Sequence, residues 1–113
     1  MARRRRARKS RVIYGHVNGI TDIQDINRKI RGQIRRTRSV QRITELVSRS
    51  RYLVTLTYSP AWRKKFRGKI RRMRSVASRE YETTARLANR RLIQLGRSPR
   101  YDVTYGGSRV VAT

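Results

Sequence analysis

The chain has 113 residues, 31 of them Lys or Arg against 6 Asp or Glu, for a formal net charge of +25 at pH 7. A compact domain with that charge repels itself, and a polyanion must offset it. With no cysteine, disulfides, cysteine-based zinc sites and thiol nucleophiles are excluded, and no apolar run approaches the length of a signal or transmembrane segment.

Residues 1–20 read as a basic arm and a linker. The arm, Ala2 to Arg11, has no apolar periodicity, so it has nothing to pack with. Like charges at this density hold it extended until phosphate orders it. It also lacks the large apolar residues of an amphipathic transit peptide. Val12 to Ile20 contains two glycines and an Asn-Gly pair, which marks a turn.

Residues 21–95 read as a three-helix region, with helices over about 21–37, 39–58 and 60–95. Thr21 and Gln24 have the spacing of a capping box, with Asp22 and Asp25 in the first turn. Ile23, Ile26, Ile30 and Ile34 then form one helical stripe. Gly32 weakens this helix by roughly 1 kcal/mol relative to Ala. Ser39 suits a second N-cap. Val40, Ile43, Leu46, Val47, Leu53, Val54 and Thr57 carry the pattern to about Tyr58. Tyr52 to Tyr58 is rich enough in β-branched and aromatic residues to suit a strand, but the preceding stripe enters it in phase, which favours helix.

Ser59-Pro60 is a preferred helix opening. Trp62, Phe66, Ile70, Met73, Ala77, Tyr81, Thr84, Ala88, Leu92 and Leu95 follow in sets of eleven residues, close to the natural helical period. The spacing predicts one nearly straight helix of about 54 Å, ending at Gly96, with Gly68 the place where it would bend or start late. Residues 96–113 form a Tyr-rich tail. Tyr101, Val103 and Tyr105 alternate with polar residues, and Gly106-Gly107 precedes Val110 and Val111, so the tail is extended or a β-hairpin. Those five apolar residues are candidates for docking on a partner. The fold expected is all-α, with a disordered basic arm, a helical hairpin and one long third helix. Leu, Ile, Val and Phe make up only about 22% of the chain, so the core is small.

Phosphate contacts are expected from the arm at Arg3, Arg4, Arg5, Arg6, Arg8, Lys9 and Arg11. The first helix would add Arg28, Arg31, Arg35, Arg36 and Arg38. The third would add Arg63, Lys64, Lys65, Arg67, Arg71, Arg72, Arg74, Arg79, Arg86, Arg90 and Arg91. Arg outnumbers Lys 26 to 5, and its planar fork grips phosphate bidentately. Only Glu80 and Glu82 oppose the bases of the third helix, whereas an ordinary solvated helix mixes acid with base at i and i+4. No position stands out for reading base edges, so backbone contacts with little sequence preference are expected. Trp62, Phe66 and Tyr81 fall on the apolar stripe and read as core.

His16 stands alone in the linker, and Glu80 and Glu82 point to different sides of a helix, so no metal, cofactor or catalytic group is expected. The charge matches about 40 Å of duplex. The function expected is packaging of a genome inside a virion after assembly from the cytoplasm. DNA is favoured over RNA, and other copies of the chain or a shell protein are expected as neighbours. A ribosomal or other ribonucleoprotein component is the alternative, and a cationic membrane-active helical protein is a second one.

Overall fold

The computed structural model describes residues 17–105. They form four helices: α1 (Ile20–Arg36), α2 (Val40–Leu56), α3 (Pro60–Lys65) and α4 (Ile70–Gln94). The architecture is all-α, and there is no strand among the described residues. α1 and α2 make a hairpin across a three-residue link, and both lie against α4.

α1 begins two residues earlier than the capping-box spacing predicts. Gly19 is its N-cap and offers no side chain, while Thr21 is exposed inside the first turn. The Asp22 carboxylate takes over, accepting from the Asn18 backbone N–H at 2.7 Å close to the positive end of the helix dipole. Ile23, Ile30 and Ile34 are buried and Ile26 is partly so. α2 opens as expected, with Ser39 Oγ accepting from the Arg42 N–H at 3.1 Å. It runs in helix to Leu56 and buries Ile43, Leu46, Val47, Leu53 and Val54, so the stripe decides the Tyr52–Tyr58 segment against the strand.

The single long helix is corrected. Ser59 caps α3 through Oγ, accepting from the Trp62 N–H at 3.2 Å, with Pro60 at the first helical position. The helix stops after Lys65, and Gly68 takes φ +88°, a conformation that only glycine adopts readily. Two physical reasons favour the break. α1 and α2 have 17 residues each, about 25 Å, so a 54 Å helix would overhang them. The stretch Arg63 to Arg72 also carries bases with no acid, and like charges a turn apart destabilise a continuous helix. Turning at Gly68 lets Trp62 and Phe66, in edge-to-face contact at 5.3 Å, close one end of the core. The apolar positions survive the break. Met73, Ala77, Tyr81, Thr84, Ala88 and Leu92 are all buried, joined by Ala85. α4 ends in a Schellman motif: the Arg97 N–H donates to Leu92 O at 2.8 Å and the Gly96 N–H to Ile93 O at 3.0 Å, with Gly96 at φ +79°.

A polar node lies where three helices meet. Asn27 on α1, Ser50 on α2 and Thr84 on α4 are fully buried. Asn27 Nδ2 donates to Ile23 O at 2.9 Å, while its Oδ1 accepts from Ser50 Oγ and from Thr84 Oγ1, the latter at 3.2 Å. Thr84 Oγ1 in turn accepts from Arg31 at 3.3 Å, and the same Arg31 nitrogen reaches Glu80 at 2.8 Å. Breaking one member would strand the others without partners, so the node fixes the register of α1, α2 and α4.

Gly32 is the removable weakness of α1. A Cβ there would meet only the Arg36 guanidinium, at 3.7 Å, which is ordinary contact. Gly32→Ala is therefore expected to stabilise the fold by about 1 kcal/mol and raise Tm by roughly 4–8 °C in a thermal melt followed by circular dichroism. A lowered Tm would contradict this placement.

Candidate nucleic-acid interface

The buried stripe of α4 fixes what its opposite face presents. Arg72, Arg79, Arg86 and Arg90 fall within an arc of roughly 40° on the side away from Met73, Ala77, Tyr81 and Leu92. All four are exposed, with exposed Ser75 and Thr83 among them. They mark out about 27 Å along the helix. Glu82 flanks this face and pairs with Arg86 at 3.7 Å, but Arg86 keeps 63% of its side chain exposed, and such surface pairs contribute little.

Two further groups continue the surface. α1 shows Arg28, Lys29, Arg35 and Arg36, and its link to α2 shows Arg38. Asp25 pairs with Arg28 at 2.8 Å, again in the open. At the α3–α4 corner Arg63, Lys64, Lys65, Arg67, Lys69 and Arg71 are exposed, and no acid occurs between Glu45 and Glu80. Lys65 also donates to Val17 O at 3.3 Å and covers the Phe66 ring. Lys29 and Lys69, together with Arg97 and Arg100 at the start of the tail, belong to this surface although they were not among the expected contacts. They carry the same positive charge as their neighbours, and no spacing in the sequence separates them from the rest.

The charge does not cover all helices alike. The outward face of α2 carries Gln41, Thr44, Ser48, Tyr52 and Thr55 with Glu45, and exposed Arg51 stands at its edge, over the Tyr105 ring at 5.4 Å. Arg42 lies to the side, bonded to Glu45 at 3.1 Å and to Gln33 Oε1 at 2.7 Å.

Three arginines expected to contact phosphate are tied into the fold by some of their donors. Arg31 is only 16% exposed and serves the polar node. Arg74 donates to Thr57 O at 2.8 Å and lies over the Tyr58 ring at 4.1 Å. Arg91 donates from Nε to Thr37 O at 3.1 Å, satisfying a carbonyl just past the end of α1. A single sequence does not separate these from their exposed neighbours, because each needs a partner distant in the chain. Arg3, Arg4, Arg5, Arg6, Arg8, Lys9 and Arg11 lie outside the described residues, as do Val110, Val111 and the expected Gly106-Gly107 hairpin.

The tail tyrosines are seated on the chain's own helices. Asn89 Oδ1 accepts from the Arg100 and Tyr101 N–H groups, both at 3.0 Å, and its Nδ2 donates to Tyr101 O at 2.9 Å. Tyr101 shares a hydrogen bond with Thr44 at 2.7 Å, and Tyr105 shares one with Thr55 at 3.0 Å. Tyr105 stacks beside Tyr58 and meets Tyr81 edge to face. Val103 is half-buried between them in sequence. Residues 97–104 have no regular secondary structure and cross from α4 to α2.

Comparison with family models, characterised proteins and solved structures gives no match to this chain. Function must therefore be argued from the surface itself. No helix among the described residues is long and apolar enough to cross a membrane.

The Tyr81 hydroxyl donates to Asp102 O at 2.7 Å beneath the tail. Burial pushes its pKa above the usual 10.0, Arg51 pulls it back, and Asp102 and Tyr105 push it up further. A raised acid pKa means that the unfolded chain loses this proton first. Stability from Tyr81 is therefore complete below pH 10 and falls as the pH rises beyond it. Thermal melts of wild type and Tyr81→Phe should show the wild type losing stability faster above that pH. Parallel curves would contradict the buried hydroxyl.

Proposed function

We propose that the chain is a non-catalytic nucleic-acid-binding protein that neutralises and packages a genome with little regard to sequence, as a structural component inside a virion. One observation carries this: α1, α3 and α4 present exposed bases outward, while four of the six acids are paired with arginines. A rigid surface about 27 Å long with at least four aligned arginines suits the regular phosphates of a nucleic-acid backbone. The bases from Arg3 to Arg11 would add further phosphate contacts.

Binding of this kind is driven by counterion release. With about ten phosphates contacted, affinity for any DNA should fall by roughly 10³ to 10⁵ between 50 and 200 mM salt. Fluorescence anisotropy across that range, on two unrelated sequences, checks both the slope and the indifference to sequence. A flat salt profile, or a strong preference for one sequence, would contradict the proposal.

A further inference from the structure

The exposed bases are not all equivalent. Where the C-terminal ends of α1 and α4 meet, Arg35, Leu87, Arg90, Arg91 and Gln94 enclose a cleft of about 300 Å³. No carboxylate lines it. The two helix ends contribute partial negative charge, but three full guanidinium charges outweigh it.

Arg91 makes this a built site. Its Nε is held by Thr37 O and its Nη1 by Gln94 Oε1, each at 3.1 Å. The guanidinium plane is thus fixed before any ligand arrives, and the entropy of ordering it is already met. Nη2 makes no hydrogen bond to the described residues, and Arg91 lines the cleft. Gln94, whose oxygen Arg91 engages, also lines it and brings an amide donor. Arg35 from α1 and Arg90 from α4 are exposed at the rim and able to close from either side. Such a set of planar donors around one small cleft matches the tetrahedral oxygens of phosphate.

We propose that this cleft is a preorganised site for a single phosphate group, occupied in the complex by one backbone phosphodiester. The proposal rests on the nucleic-acid reading above and refines it. One phosphate is fixed in place, and the arginines along α4 follow the backbone from there. Free phosphate shares the chemistry, so the test separates the two sources.

The full-length protein would be labelled for arginine side-chain NMR and titrated with inorganic phosphate and with a short oligonucleotide, at salt high enough to screen diffuse surface contacts. Both ligands should shift the Arg91 Nε–H resonance. Arg35→Lys combined with Arg90→Lys keeps the net charge but removes two forks, and should weaken oligonucleotide binding about tenfold. Arg72→Lys combined with Arg79→Lys removes the same number of forks from the outward face of α4 and should weaken binding less, by about threefold. Arg91 is left intact because it also supports the end of α1. Equal losses from the two pairs would overturn the site while leaving nucleic-acid binding in place. A resonance that moves with inorganic phosphate but not with the oligonucleotide would overturn its assignment to the backbone phosphodiester. Failure to bind any oligonucleotide at low salt would remove the underlying function, and the site with it.

Discussion

Everything in this structure answers one constraint: helices of like charge must be held side by side by a small core. The solution is economical in acids. Of six, Glu80 is paired in the interior with Arg31, Asp22 supports the start of α1, and Asp25, Glu45 and Glu82 each neutralise a base on their own helix. The remainder of the cohesion is apolar, from stripes that meet along α4. At the centre, Asn27 adds direction to that cohesion. Apolar stripes alone tolerate sliding, whereas an amide bonded to Ser50 and Thr84 at once does not.

The same constraint sorts the surface. Arginines whose charge the fold can use are drawn inward to carbonyls and rings, as Arg74 and Arg91 are. The rest project from α1, α3 and α4. α2 carries fewer exposed bases, Arg51 among them, and the tail approaches its outer side through Tyr101 and Tyr105.

Much of this was legible in the sequence. Isoleucine and leucine spacing marked α1 and α2, Ser39 and Ser59 marked true starts, and Gly96 marked a true end. The periodicity that placed six of the seven buried residues of α4, all but Ala85, also concealed the break before it. A stripe in steps of eleven continues through a turn when the turn itself keeps Trp62 and Phe66 on the core side. Gly68 was the only local sign, and its left-handed backbone depends on where α1 and α2 stop. Thr21 misled because a capping spacing says nothing about which residue the tertiary packing will choose. The inward arginines, Asn27 and the Asn89 anchor of the tail were not legible, since each is defined by a partner tens of residues away.

The central claim is that phosphate charge, not base identity, is what the exposed arginines engage. The most direct measurement compares binding to a DNA strand with binding to the same sequence carrying an uncharged methylphosphonate backbone. The account predicts tight binding to the first and a loss on the order of 10³-fold or more on the second at low salt. Equal affinity for the two would contradict it.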